Sequence, residues 1–235
     1  MALPKLSVPQ YKVELPSTGE QLNMRPYLVK EEKVLLIALE SKDAVQIQNA
    51  VKNLIMSCYD LKDAKKLTSF DLEYLFLQLR AKSVGENIAL RAKCEKCDNL
   101  NDYNVNIDEV KIDNINNENT FMLDEDKKVG VTMRYPTMEN LEKLDLSKLD
   151  SVEGLMDLIS VCVKTIFDED NVYNADEETR EDLMNFIESF SSAQFAKIQE
   201  FFITIPSMTY NDEIECTGCG HKNKVELKGL QSFFT

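Results

Sequence analysis

Four of the six cysteines come as two Cys-x-x-Cys pairs: Cys94 and Cys97 in "LRAKCEKCDNLNDYNVNI", and Cys216 and Cys219 in "IECTGCGHKNKVEL". Two intervening residues let both sulfurs of a pair point at one metal across a tight turn, and two such pairs make the tetrahedral four-thiolate set of a structural zinc site. In the second pair, Gly218 and Gly220 supply the backbone freedom that such a turn needs. In the first, Asp98 stands where Gly220 stands, and Asp tolerates the left-handed region better than most residues. Lys93, Lys96, Lys222, Lys224 and Lys228 surround the four cysteines in an otherwise acidic chain, and nearby cations favour thiolate. Cys94, Cys97, Cys216 and Cys219 are therefore expected to hold one structural Zn2+, with His221, the only histidine, left at the surface. Two rivals stand beside this reading. A thioredoxin-like redox pair would follow a strand and open a helix, and neither pair here leads into a helical pattern. The pairs could also be independent of each other.

The flanking residues must position these cysteines. Ile88, Leu90 and Ala92 alternate with polar residues before the first pair, and Tyr103, Val105 and Ile107 after it. Met208, Tyr210 and Ile214 precede the second pair, and Val225 and Leu227 follow it. Both read as strand, turn, strand. Elsewhere the period is mostly helical, with helices expected at about 29–40, 43–57, from the Thr68 cap to about Gly85, after Thr137, over 151–166, and in two further segments, 176–190 and 192–205. Residues 5–24 read as a hairpin, and a strand pair is expected at 120–124 and 129–135. In helix 29–40 the apolar face is assigned to Leu28, Leu35, Leu36 and Leu39, with Val29 adding to it. Helix 69–84 is apolar nearly all round, which places it deep in a core or against a partner. Cys58 and Cys162 lie on apolar helical stripes and read as small buried hydrophobes. "LQSFFT" at the end reads as an apolar tail docked on something.

Composition sets further bounds. A hydrophobic content of 43% over 235 residues supports a sizeable core, and scarce Gly and Pro argue against low complexity. The net charge of −14 argues against nucleic-acid binding, which needs a basic face. The acidic run 168–182 reads as a solvated linker and helix start; it lacks the oxygen ligands and glycine of a calcium loop. No apolar run is long enough to cross a membrane, and the opening lacks the apolar block of a signal peptide. No phosphate loop or catalytic carboxylate pair stands out, and a four-cysteine zinc has no open position for water, so no enzyme is expected.

The segments "RPYLVKEEKVLLIALES" (25–41) and "SFDLEYLFLQLRAKSVGE" (69–86), with the opening "MALPKLSVPQYKVELPSTGEQLNMRPYLVKEEK", resemble the baseplate hub proteins of T-even-like contractile-tailed bacteriophages. The resemblance is strongest over residues 1–90. It implies a structural or assembly protein that contacts other baseplate hub and tail proteins, located in the virion tail and, during assembly, in the host cytoplasm. A homo-oligomer is compatible with it. The cysteine quartet rests on this sequence's own spacing. The alternative is a cellular zinc-ribbon adaptor binding protein or nucleic acid.

The expected fold is α+β: a mostly helical body with small antiparallel sheets, and a four-cysteine zinc-ribbon subdomain built from 86–110 and 208–230. Residues 1–85 form the N-terminal hairpin and helices, 137–205 a helical insertion, and 1–235 a single domain.

Overall fold

The computed structural model describes residues 6–115, 119–145, 148 and 151–233. The fold is α+β, with seven α-helices and small antiparallel sheets among the described residues. Two compact units form. One comprises Met1–Ala64, Phe70–Asp113 and Pro206–Thr235, the other Lys65–Ser69 and Asn114–Ile205.

The first unit opens with a hairpin, β1 (Tyr11–Glu14) against β2 (Gln21–Met24). Helices α1 (Val29–Ser41) and α2 (Ala44–Cys58) follow. Lys42, in the left-handed conformation, ends α1, and the Asp43 carboxylate accepts the N–H groups of Val45 and Gln46 to start α2. On α2, Val51, Leu54 and Cys58 are buried, as their spacing implies. On α1 the buried positions are Leu35 and Ala38, whereas Leu36 is 51% exposed. Leu35 and Leu36 are about 100° apart on a helix, so one apolar cluster cannot serve a single face. Helix α3 (Ser69–Ser83) buries Phe70, Leu72, Leu75, Phe76, Leu77 and Leu79 within the chain, so its apolar girdle is core.

After α3 come β3 (Asn87–Lys93) and β4 (Leu100–Asn106), paired antiparallel, and then β5 (Lys111–Asp113). The second unit contains β6 (Thr120–Asp124), β7 (Val129–Met133), α4 (Met138–Glu142), α5 (Val152–Cys162), β8 (Val163–Phe167), β9 (Val172–Asn174), α6 (Arg180–Glu188) and α7 (Ser192–Ile203). Its four strands form one antiparallel sheet in chain order. Its core joins Val131, Met133, Ile159, Ile187, Ile198 and Phe201. The helix expected over 151–166 stops at Cys162. Val163, Thr165 and Ile166 are β-branched, and Val131 and Thr132 of β7 pair with Ile166 and Thr165. The acidic run from Asp168 supplies the β8–β9 turn, where the Asp168 carboxylate accepts the N–H groups of Asp170 and Asn171. Thr179 then caps α6, the helix start expected there.

The chain returns to the first unit as β10 (Ser207–Glu215) and β11 (Lys222–Lys228), with β5 on the other edge of β10. Ile88, Leu90 and Val105 of the β3–β4 hairpin share one core with Tyr210, Val225 and Leu227 of β10–β11, and Leu77 and Ala81 of α3 join it. Phe233 of the C-terminal segment is buried in that same core, so part of the apolar tail docks on its own chain; Phe234 lies outside the described residues.

Candidate metal centre

The hairpins β3–β4 and β10–β11 carry their Cys-x-x-Cys turns to one place. Sγ of Cys94 lies 3.7 Å from Sγ of Cys219, and Sγ of Cys97 lies 3.6 Å from Sγ of Cys216. All four sulfurs lie within 4.8 Å of one another. A tetrahedron with metal–sulfur bonds of about 2.3 Å has edges of about 3.8 Å, so the set matches a four-thiolate zinc in size. None of the six cysteines is in a disulfide. Cys94 and Cys216 are buried and Cys97 and Cys219 exposed, so the cluster has an inner and an outer thiol from each turn.

The two turns repeat one hydrogen-bond plan. Cys94 N–H donates to Asn99 O at 2.8 Å, and Asp98 N–H to Cys94 O at 3.0 Å. Cys216 N–H donates to His221 O at 2.8 Å, and Gly220 N–H to Cys216 O at 2.9 Å. Asp98 (φ +60°) and Gly220 (φ +68°) occupy the same left-handed position. The Lys96 and Gly218 N–H groups point at the Cys94 and Cys216 sulfurs, at 3.4 and 3.3 Å.

Buried asparagines tie each turn to the other. Asn101 Oδ1 accepts the Thr217 N–H at 2.9 Å, and its Nδ2 donates to Asn99 O at 3.0 Å. Asn223 Oδ1 accepts the Glu95 N–H at 3.0 Å, and its Nδ2 donates to His221 O at 3.1 Å. Each asparagine thus braces the residue after the first cysteine of the opposite turn. Sequence reasoning missed this pair. Its signal is a shared Cys-x-x-Cys-x-x-x-Asn pattern at residues 94–101 and 216–223.

The thiols do not titrate alike. Burial opposes ionisation of Cys216, but the N–H groups of Gly218 and Cys219, with the Cys97 and Cys94 thiols, outweigh it and lower its pKa to about 6. At Cys97 the Asn99 N–H favours the thiolate, but Cys219, burial and the remaining thiols push the pKa up to about 12. Backbone amides and the Asn99 side-chain amide donate to sulfur, while Lys93 pairs with Asp98 and Lys222 with Glu213 on the protein surface. Four converging sulfurs, with N–H groups donating to Cys94 and Cys216, are a ligand set suited to zinc.

His221 is half-buried and contributes its backbone carbonyl; it is not among the residues whose ligand atoms converge. Each pair joins strand to strand, so neither opens the helix that a thioredoxin-like pair requires. Cys58 and Cys162 are core thiols, raised by burial to about 11 and about 12.

No curated protein and no solved structure matches the chain. No helix among the described residues is long and apolar enough to cross a membrane. The model of one protein family, described as T4 bacteriophage base plate protein, matches residues 8–235. That span takes in both units and both cysteine turns and supports a structural role in the phage tail, in association with other tail proteins, so the chain belongs to the T4 bacteriophage base plate protein family.

Proposed function

We propose that the protein is a structural or assembly component of the hub at the centre of a phage tail baseplate, working through protein–protein contacts and not by catalysis. The family match over residues 8–235 carries this reading. Two features agree with it: a four-cysteine metal shell would be closed to water and substrate, and the net charge of −14 disfavours nucleic acid. The hub assignment is tested by deleting the gene from an infecting phage and imaging tail intermediates. Baseplates lacking a central hub are expected. Normal hubs, or a defect confined to the periphery, would overturn the assignment.

Within that role, Cys94, Cys97, Cys216 and Cys219 bind one structural zinc as a zinc ribbon. Zinc would supply no chemistry here beyond cross-linking. It would join the β3–β4 turn to the β10–β11 turn, closing the loop of chain that contains the whole stretch Asn114–Ile205.

A further inference from the structure

Helix α1 is apolar on two sides, and the chain uses one. Its inner side buries Leu35 and Ala38. On the outer side Val29 is 81% exposed, Leu36 51% and Ile37 57%. Lys33 and Glu40 are exposed as well. At about 100° per residue, positions 29, 33, 36, 37 and 40 fall within an arc of about 100°, the width of a helix-packing stripe. Among the described residues, neither Lys33 nor Glu40 forms an ion pair. Scattered exposed apolar side chains need no partner, but three on one stripe, interleaved with two unpaired charges of opposite sign, form a seam.

The order of residues along the stripe identifies its occupant. Leu36 and Ile37 sit at the midpoint between Lys33 and Glu40. Laid antiparallel on a copy of itself about a two-fold axis between Leu36 and Ile37, the stripe sets Lys33 against Glu40 of the copy, Glu40 against its Lys33, and Leu36 and Ile37 each beside the same residue of the copy. A second copy supplies both complementary charges by symmetry. We propose that α1 is a homodimer interface, with two copies of the chain pairing antiparallel through Lys33, Leu36, Ile37 and Glu40. One helix pair is a small interface, so the association is concentration-dependent. The proposal goes beyond the metal centre and does not rest on it.

The test is sedimentation equilibrium of the purified full chain under reducing conditions, over a concentration series. The mass is expected to rise from 26.9 kDa towards twice that value. Lys33→Glu gathers four carboxylates about the axis and should raise the dissociation constant about tenfold or more. Glu40→Lys should do the same, and the double charge reversal should restore association. Ile37→Asp should leave a monomer. These side chains are exposed, so circular dichroism is expected to show an unchanged fold in each variant. A wild-type chain that stays monomeric throughout overturns the proposal and leaves this face to a different tail protein. A dimer indifferent to Lys33→Glu, or one that the double reversal does not restore, overturns it too.

Discussion

Asn101 and Asn223 hold each other's knuckle: Asn101 Oδ1 accepts the Thr217 N–H at 2.9 Å and Asn223 Oδ1 accepts the Glu95 N–H at 3.0 Å. Both asparagines are 3% exposed, so each reaches an outer turn from a buried position. Each amide fixes the residue after the first cysteine of the opposite turn, and with it the N–H groups that face sulfur.

Asn101→Ala and Asn223→Ala should therefore behave alike. Each removes the acceptor of a part-buried N–H, on Thr217 or Glu95, at about 0.5–1.5 kcal/mol. Each should also weaken zinc binding by about 10–100-fold, as loss of residues orienting metal ligands does. Competition against a chromophoric chelator measures the affinity. Wild-type affinity in both variants would contradict the bracing role.

Gly130 on β7 has a different reason to be glycine. A Cβ there would overlap the Phe167 ring on β8 and stand 2.9 Å from the Phe121 carbonyl on β6. Gly130→Ala should cost about 1–3 kcal/mol by overpacking. Thermal unfolding is the readout. An unchanged midpoint would mean that the sheet has slack at this position.

The Glu31–Arg25 pair, 2.8 Å apart, predicts a pH dependence. The Arg25 hydrogen bond, with burial opposing it and the Leu28 N–H assisting, holds the Glu31 carboxyl below the usual range. A depressed folded-state pKa contributes stability that is present above the ordinary Glu value of about 4.3 and is lost as pH falls below it. Glu31→Gln should cost about 1–2 kcal/mol at pH 7, and the gap from wild type should narrow on acidification below about pH 4. Denaturant melts at several pH values measure it, and a gap that stays constant would contradict it.

Much of the architecture was legible from period and punctuation. Strand alternation around the cysteine pairs placed β3, β4, β10 and β11, and Thr137 marked the start of α4. The convergence of Cys94, Cys97, Cys216 and Cys219 followed from equal spacing in two similar hairpins. The end of α5 did not, because Val163–Phe167 adds apolar residues that fit a helical stripe and a strand equally well, and pairing with β7 decides. The Asn101–Asn223 brace was hidden for another reason. An asparagine four residues past a cysteine is polar and unremarked until the fold buries it against a turn more than a hundred residues away. Leu36 was placed on one face with Leu35 because both are apolar and adjacent, whereas α1 buries Leu35 and Ala38 and leaves Leu36 51% exposed.

The central claim is that two distant turns form one metal site. Native mass spectrometry of the intact purified chain, beside Cys216→Ser, tests it most directly. One zinc per chain is expected, absent from the variant, with the variant's unfolding midpoint lowered. A wild-type chain that carries no metal, with all four thiols free and its fold unaffected by Cys216→Ser, would contradict the claim.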